Sequence, residues 1–261
     1  MNFAEYRIGD IAVIALRDGY VDLPASRLRQ PGNRQFERLP AEVALVNGQL
    51  RLSVNAFLVI DQGEHVLIDT GAANSWDPTM GLLLEALAEA GISRDDITTV
   101  ALTHTHEDHA HGLVAADGSD AFPRLRTLLV PAGELALFDG IERLERFRAR
   151  RGALEGGAQI SAHVTAIAAH GHELGHTAFA VASGRERLLI WGDVIHVPSI
   201  QFARPELTWG ADANQDEARA TRARLLELAS LPDTFAAGAH LDFPGVGKVT
   251  LHAQGFAFDP I

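Results

Sequence analysis

The most constraining feature of this chain is the stretch at positions 103–109, Thr-His-Thr-His-Glu-Asp-His, in which three histidines and an aspartate fall within six positions. Neutral imidazoles and carboxylates packed this densely must either coordinate a cation or repel and desolvate one another. The stretch therefore predicts a metal site. The alternative is a histidine-rich surface loop, which a chain with 12 histidines could also contain.

The spacing of these residues predicts two ions rather than one. Positions 98–102 form an apolar run typical of a short buried strand. Residues two apart on an extended backbone point the same way, so His104 and His106 can bind one ion together. A helix is predicted to begin at Ala110, and a chain that turns there can direct Asp108 and His109 at a second ion.

Further ligands are expected elsewhere, because two cations need more than four protein ligands. Loops directly after strands are the best places for them, since side chains there are held firmly and remain open to substrate. Three residues follow predicted strands in this way: His172 after 164–169, Asp193 after 188–191, and His240 after 235–237.

Other polar residues are candidates for supporting roles around these ligands. Asp69 ends the second strand of a predicted hairpin, and it either caps the following loop or supports the metal ligands from behind. Three histidines beside candidate ligands are predicted to hydrogen-bond around the site: His111, His176 and His196. Three that stand alone are predicted to be solvated or hydrogen-bonded: His65, His163 and His252.

Composition and charge exclude several classes of protein. The 34 acidic residues outnumber the 22 basic ones, and a net charge of -12 repels nucleic acid phosphates, so nucleic acid is not expected as a partner. The N-terminus does not resemble a signal peptide, and no apolar run reaches membrane-span length, so a cytoplasmic protein without membrane contact is expected. Because the chain has no cysteine, any metal must be held by His and Asp.

The chain reads as a single domain over 1–261, since no linker divides it and ligand candidates occur in both halves. Within it, 21–50 is predicted to be an arm or lid, and 131–160 a helical insert with a helix from Gly133 to Arg151. Asp18-Gly19 is a turn signal that ends the first strand. Strand-rich and helix-rich segments alternate irregularly, which favours mixed sheets flanked by helices.

Taken together, these motifs resemble those of the metallo-β-lactamase-fold superfamily of hydrolases, in the expected order and over nearly the whole chain. The resemblance implies an α+β fold, a four-layer αβ/βα sandwich of two mixed β-sheets packed face to face with helices outside. It also implies the ligand sets, with His104, His106 and His172 on one ion, Asp108, His109 and His240 on the other, and Asp193 bridging them. The matching pieces are Asp69-Thr70-Gly71, the 103–109 stretch with Gly112, Gly-His-x-x-Gly-His at 171–176, Gly192-Asp193 and His240.

Within the superfamily, the chain is most similar to the methyl parathion hydrolase and N-acyl homoserine lactonase branch, which implies a homodimer. The pieces that carry this similarity are Asn55-Ala56-Phe57, Gly192 to His196, Gln201-Phe202 and Gly238 to Gly245. One departure is Ala169-His170, where the family usually has Thr-Pro. It leaves His170 as a competitor of His172, although Gly171 favours His172.

The expected activity is hydrolysis of a small molecule by a binuclear metal centre. Zinc is the default metal for His and Asp ligands, with manganese, iron, cobalt and nickel as alternatives. Water between two such cations is expected to supply hydroxide, while ionised Asp108 and Asp193 orient that water or pass a proton to the leaving group. Five aromatic residues near the motifs suggest an apolar cavity for a neutral lactone, ester or phosphotriester: Phe57, Trp76, Phe202, Trp209 and Phe243.

Other functions on the same fold remain open. A glutathione-thioester hydrolase resembles this chain at the 103–109 stretch, but it needs a basic patch for its anionic substrate, and the C-terminal segment supplies only Lys248. A lactam-cleaving enzyme is less favoured, because such enzymes usually carry a secretion signal and this N-terminus does not resemble one. A non-catalytic metal-binding sensor is the alternative from another class, and substrate turnover distinguishes it from an enzyme.

Overall fold

The computed structural model describes residues 1–261. In chain order the strands are β1 Phe3–Ile8, β2 Ile11–Pro24, β3 Leu28–Arg29, β4 Gln49–Asp61, β5 Glu64–Ile68, β6 Thr99–Ala101, β7 Thr127–Pro131, β8 Arg151–Leu154, β9 Val164–Ala168, β10 Thr177–Ser183, β11 Glu186–Ile190, β12 Thr208–Trp209, β13 Thr234–Ala237, β14 Val246–His252 and β15 Gly255–Pro260. The α-helices are α1 Leu83–Glu89, α2 Glu107–Ala110, α3 Leu135–Gly140, α4 Pro198–Gln201 and α5 Gln215–Ala229. Short 3-10 helices occupy Ala25–Arg27, His111–Leu113, Ala132–Glu134 and Glu142–Phe147.

The strands form two large sheets, each containing both parallel and antiparallel pairs. The N-terminal sheet has seven strands in the order β1-β2-β4-β5-β6-β7-β8, and it is parallel from β5 onward. The C-terminal sheet has six strands in the order β15-β14-β13-β11-β10-β9, and its one parallel pair is β11 with β13. β3 and β12 form a separate two-stranded ladder.

The alternation of side chains along β4 explains how the two sheets pack. Phe57 and Val59 belong to an apolar cluster shared with Phe179 and Val181 of β10, so this face of β4 lies between the sheets. Ala56 and Leu58 point the other way, toward the helices. Because both faces are covered, β4 is buried at nearly every position from Leu52 onward, and it is apolar at every position from Ala56 to Ile60 rather than at alternate ones.

Helices cover the outer face of each sheet. Leu83 and Leu87 of α1 pack against the N-terminal sheet at Leu58, and Leu225 of α5 packs against the C-terminal sheet at Leu189. The layers are therefore helix, sheet, sheet and helix, which confirms the predicted fold class. The longest helix, α5, has 15 residues, and no helix is both long and apolar enough to cross a membrane.

Parallel pairing brings the functional segments to one edge of the sandwich. β5 and β6 end together, and the chain then enters the stretches that start at Asp69 and Leu102. β11 and β13 likewise end together, just before Asp193 and His240. Side chains that follow the carboxyl ends of neighbouring parallel strands lie in the same crevice.

The predicted helix from Gly133 to Arg151 is wrong as a continuous element. It is divided into the 3-10 helix Ala132–Glu134, α3 and the 3-10 helix Glu142–Phe147, because Ile141 adopts an extended backbone with φ −80° and ψ 109°. Arg151 instead begins β8, which pairs with β7. The segment also contacts its neighbours through a charged side chain, since Arg143 donates hydrogen bonds to the carbonyl oxygens of His111 and Val114.

Asp18-Gly19 does not end a strand. β2 continues through it to Pro24, and the pairing register with β4 shifts between Arg17 and Gly19, as in a β-bulge. The bulge turns the Asp18 carboxylate inward, where it accepts hydrogen bonds from the backbone N–H groups of Ala72 and Leu83.

The segment predicted as an arm, 21–50, is shortened at both ends by β2 and β4. What remains between the strands is anchored near its start. Leu28 and Arg29 pair with Trp209 and Thr208 in the β3–β12 ladder, and Leu28 and Trp209 are buried in one apolar cluster. This anchor places the start of the segment beside the crevice at the sheet edge.

Candidate metal centre

Asp69 holds the beginning of the histidine-rich stretch. It follows β5 in the left-handed backbone region, with φ 62°, which aspartate tolerates better than most residues. Its two carboxylate oxygens accept hydrogen bonds from the backbone N–H and the hydroxyl of Thr103, at 2.7 and 2.8 Å. Glu134 holds the next turn, because its carboxylate accepts hydrogen bonds from the N–H and hydroxyl of Thr105, both at 2.7 Å. The backbone around His104 is therefore fixed from two sides.

One group of side chains consists of His104, His106, His172 and Asp193, whose nearest ligand atoms all lie within 4.8 Å of one another. His172 Nε2 lies 3.2 Å from His106 Nδ1 and 3.3 Å from Asp193 Oδ2. His104 Nε2 lies 3.8 Å from the same carboxylate oxygen. Three ring nitrogens and one carboxylate thus converge on a common point.

A second group consists of Asp108, His109 and His240, also within 4.8 Å of one another. His240 Nε2 lies 3.7 Å from Asp108 Oδ2 and 3.0 Å from Asp193 Oδ2. His109 Nε2 lies 3.1 Å from Asp193 Oδ1. Asp193 therefore contacts both groups, and all seven side chains named from the sequence come together.

The hydrogen bonds of the imidazoles test whether these groups suit a metal ion. In four of them an oxygen lies within 3 Å of the ring nitrogen that faces away from the cluster, leaving the other nitrogen directed inward. These pairs are His109 Nδ1 with Asp69 (2.8 Å), His172 Nδ1 with Asp212 (2.9 Å), His240 Nδ1 with the Ser53 carbonyl (2.7 Å) and His106 Nε2 with Glu173 (2.9 Å).

Three inward atoms are buried without a hydrogen-bond partner: His104 Nε2, His109 Nε2 and Asp193 Oδ1. Unsatisfied buried polar atoms are costly, and a cation between them would satisfy all three. The donor set of imidazole nitrogens and carboxylate oxygens, without thiolate, fits divalent ions such as zinc.

The electrostatics of the cluster keep its donors available. Burial lowers the pKa of both His104 and His172 well below the ordinary value, and the neighbouring imidazoles add to this effect, so both rings are neutral. Burial alone would raise the pKa of Asp193, but the imidazoles of His240 and His109 outweigh it and hold that pKa well below the usual range. Although burial lowers it, the pKa of His109 and of His240 is raised overall by the carboxylates of Asp193 and Asp108, so a cation that binds beside these two rings would displace their protons.

His176 contacts the backbone of Asp193, and His196 contacts its carboxylate. The Asp193 backbone N–H donates to His176 Nε2 at 3.0 Å, and His176 Nδ1 donates to the Ala169 carbonyl at 2.8 Å. His196 Nε2 lies 3.2 Å from Asp193 Oδ2, and its ring stacks on Trp209 with centroids 4.7 Å apart. His170 belongs to neither group, and its residue is exposed.

The two groups form part of the wall of an open cavity of about 250 Å³. Of the five aromatic residues predicted to line it, Trp76 and Trp209 do so. Phe57 does not, because the alternation of β4 directs it between the sheets. Phe243 packs against that same core, and Phe202 stacks on Phe258 beside a separate cavity of about 380 Å³.

The sequence motifs did not identify several residues that surround the site. The cavity is also lined by Leu23, Arg27, Leu52, Glu107 and Ala211. Arg27 has no local signal, since its place depends on the fold of the segment after β2. Glu173 could have been found, because it directly follows His172. Asp212 precedes α5 at a place where an aspartate could cap the helix, but Asn214 accepts the capping hydrogen bond from Glu217 N–H, and the Asp212 carboxylate lies 2.9 Å from His172 Nδ1 instead.

Two packed mixed sheets with this cluster at one edge define a metal-dependent hydrolase. The chain belongs to the metallo-beta-lactamase superfamily, whose family model matches residues 50–240. A search among curated proteins finds no match.

Solved structures share this fold at low sequence identity. The hydrolase AbOPH, of the beta-lactamase superfamily, has a TM-score of 0.88 and 24% identity, covering 100% of this chain and 97% of its own. AidC, a dizinc quorum-quenching lactonase in complex with a product, has a TM-score of 0.83 and 23% identity with the same coverage. A probable metal-dependent hydrolase from Staphylococcus aureus has a TM-score of 0.81 and 18% identity, covering 98% of this chain and 99% of its own.

Proposed function

We propose that this protein is a binuclear metal-dependent lactonase that opens neutral, N-acylated lactones. The observation that carries the proposal is that Asp193 joins two groups of buried ligand atoms in the wall of an open cavity. The dizinc lactonase AidC, with the product of an N-acyl lactone bound, supports the choice of substrate through its similar fold.

The proposed ligand sets follow the two groups. His104, His106 and His172 would hold one ion, Asp108, His109 and His240 would hold the other, and Asp193, which contacts both groups, would contribute to both. Divalent ions bound there would activate a water molecule as nucleophile and polarise the carbonyl under attack. Zinc is the proposed metal, because histidine and aspartate are its usual ligands when no cysteine is present.

Two carboxylates take the polar steps of the proposed reaction. Asp193 remains ionised, because the surrounding imidazoles stabilise its charge, and it orients the groups on either side of it. Asp108 lines the cavity, so its carboxylate can receive the proton of the attacking water and pass it to the departing alcohol oxygen of the lactone.

The apolar walls supply binding and exclude water. Trp76, Trp209, Leu23 and Leu52 line the cavity around the two groups and can cover an alkyl or acyl substituent. Trp209 is held in place by its stacking on His196. A small cavity with these walls favours a neutral substrate with one reactive carbonyl over a highly charged phosphate.

The test is a comparison of hydrolysis rates on one preparation whose metal content is measured. An N-acyl homoserine lactone, an aryl ester, a phosphotriester and a glutathione thioester are compared at equal concentration. We expect the lactone to be cleaved fastest, with about two ions per chain. His106→Ala should abolish hydrolysis while leaving the fold intact, and His252→Ala, at an exposed strand residue, is the matched control.

Each other outcome of the rate comparison indicates a different function for this protein. Fastest cleavage of the thioester would favour the glutathione-thioester hydrolase, and fastest cleavage of the phosphotriester would favour a phosphotriesterase. Absence of turnover on all four substrates by the metal-loaded protein would favour a non-catalytic metal-binding sensor. The predicted homodimer stays a prediction, which light scattering checks on the same preparation.

A further inference from the structure

Two side chains of opposite charge line the same cavity as the metal-ligand groups. Arg27 and Glu107 both contribute to its wall, and the side chain of neither forms an ion pair or hydrogen bond within the chain. Some exposed charges elsewhere on the surface are paired, as Arg51 is with Asp22 at 2.7 Å. The cavity therefore offers one unused donor and one unused acceptor to whatever enters it.

Arg27 is not on a freely moving arm. Its carbonyl oxygen accepts a hydrogen bond from Gly210 N–H at 2.6 Å, and the next residue, Leu28, pairs with Trp209. Trp209 stacks on His196, whose ring contacts Asp193. A chain of direct contacts thus fixes the backbone of Arg27 relative to the ligand groups, while its guanidinium remains free.

Glu107 is fixed by the ligand stretch itself. It lies between His106 and Asp108, at the first position of α2, and its residue is exposed. Because both its neighbours in sequence belong to the ligand groups, its backbone cannot shift without moving them. The cavity wall thus combines a cation from the segment after β2 with an anion from the ligand stretch.

We propose that Arg27 and Glu107 recognise a secondary amide attached next to the reactive carbonyl of the substrate, a proposal that rests on the lactonase function above. The guanidinium of Arg27 donates to the amide carbonyl, and the carboxylate of Glu107 accepts from the amide N–H. These two residues determine specificity for N-acylated lactones over lactones without an amide.

The chemistry of other substituents fits this pair less well. A phosphotriester or plain ester has acceptors for Arg27 but no donor for Glu107, and a carboxylate substituent would be repelled by Glu107. A secondary amide satisfies both residues without adding net charge. In a cavity of about 250 Å³ that includes Asp108 and Asp193 in its wall, a ring at the ligand groups keeps an adjacent amide within the same space.

The experiment compares two lactones of equal size, N-hexanoyl homoserine lactone and an alkyl lactone that has methylene groups in place of the amide. Arg27→Met and Glu107→Gln are assayed with the wild type, and Arg38→Met and Glu42→Gln are controls for loss of an exposed charge from the same part of the chain as Arg27. Metal content and the thermal midpoint are measured for every variant.

We expect Arg27→Met and Glu107→Gln each to lower kcat/KM on the amide lactone by about tenfold, mainly through KM, because a hydrogen bond to a charged group is lost. On the alkyl lactone the change should stay within about twofold, and the controls should match the wild type on both substrates. Should Glu107→Gln also lose metal, the Arg27→Met result decides alone.

An equal loss on both lactones, or no loss on the amide lactone, overturns the proposal while leaving the lactonase function in place. The two failures are distinguishable, because the wild type alone reports on the lactonase function. If fully metal-loaded wild type cleaves neither lactone, the proposed function fails, and the recognition of an amide falls with it.

Discussion

At the scale of single residues, Glu173 orients one imidazole of the ligand groups, that of His106. Its carboxylate lies 2.9 Å from His106 Nε2, and that contact lowers the pKa of Glu173. His106 is the most exposed imidazole of its group, with 38% of its side chain accessible, whereas the side chain of His172 is 4% accessible. Packing therefore restrains His106 less than its partners, and Glu173 is what keeps its Nδ1 directed inward.

Glu173→Ala should weaken metal binding by about tenfold to a hundredfold, since the ring of His106 would be free to turn. Competition with a chromophoric chelator measures this directly. The metal affinity of Glu173→Gln should lie between those of the wild type and Glu173→Ala, because its amide oxygen can still accept the hydrogen bond from His106. The control is Leu174→Ala, the next residue, whose side chain is largely exposed. Unchanged affinity in Glu173→Ala would show that packing alone orients the imidazole.

At the scale of elements, the bulge in β2 joins that strand to the loop after β5 and to the start of α1. Gly71 lies directly against the Asp18 carboxylate, and an added Cβ would come within 2.3 Å of its Cγ. The backbone at Gly71 also has φ +70°, a region that favours glycine. Only a residue without a side chain fits between these segments.

Gly71→Ala should destabilise the protein far more than Gly118→Ala. Both glycines have a left-handed backbone, at φ +70° and +83°, but nothing lies within 4 Å of a Cβ at Gly118. The control should therefore cost about 1 kcal/mol from conformation alone. Gly71→Ala should cost at least about 2 kcal/mol more from crowding. Urea unfolding measures both, and equal losses would mean that the loop moves aside without strain.

Asp18 should also make the stability of this junction depend on pH. Burial raises the pKa of its carboxyl from an ordinary 3.8 to about 6, although hydrogen bonds from Ala72, Leu83 and Gly81 oppose the shift. The folded state thus holds the proton more strongly than the unfolded chain. The contribution of this group is present below about pH 4 and is lost as the pH rises through about 6, by roughly 3 kcal/mol in total.

The measurement is the free energy of unfolding of the wild type and Asp18→Asn between pH 4.5 and 7, at equal metal loading. The difference between the two proteins cancels the titration of all other groups. We expect the wild type to lose stability relative to the variant as the pH rises. Parallel profiles would show that the hydrogen bonds keep Asp18 ionised at every pH in this range.

At the scale of the whole molecule, the ligand groups join the two sheets. His104, His106, Asp108 and His109 follow the N-terminal sheet at β6, whereas Asp193 and His240 follow strands of the C-terminal sheet. An ion held by residues from both halves would link the sheets across the edge of the sandwich. Binding of this kind stabilises only the folded state.

Removal of metal by a chelator should lower the thermal midpoint of the wild type, and added zinc should restore it. At a free zinc concentration 100 times the dissociation constant, one site contributes about 2.7 kcal/mol. Asp193→Ala should respond far less, because it lacks the residue that touches both groups. Scanning calorimetry with and without chelator checks this. A thermal midpoint of the wild type that does not change on removal of metal would contradict the prediction.

Much of the fold and of the candidate site could be predicted from local patterns. His104, His106, Asp108 and His109 are adjacent in sequence, so their convergence needs only one strand and one turn. His172, Asp193 and His240 could be named because each follows an apolar strand. The apolar patterns of strands and helices favour mixed sheets flanked by helices, and the four-layer sandwich is what the resemblance to the metallo-β-lactamase fold implies.

The parts that could not be predicted depend on contacts between distant segments. Whether Phe57 faces the cavity or the core depends on which side of β4 the second sheet covers, and its sequence reads the same either way. The strand conformation of Arg151, predicted to be helical, likewise depends on the pairing of β8 with β7. The pattern of residues within a short segment does not specify which distant strand or sheet that segment packs against.

By itself, the sequence determined which side chains can bind metal and that they follow strands, because ligand chemistry and strand periodicity are properties of short stretches. Only the tertiary structure decided what surrounds them. The β3–β12 ladder brings Arg27 and Trp209 to the cavity across about 180 residues of chain, whereas Phe202 lines a different cavity, where it stacks on Phe258. Substrate choice resides in those walls, since they form only when the two halves of the chain pack together.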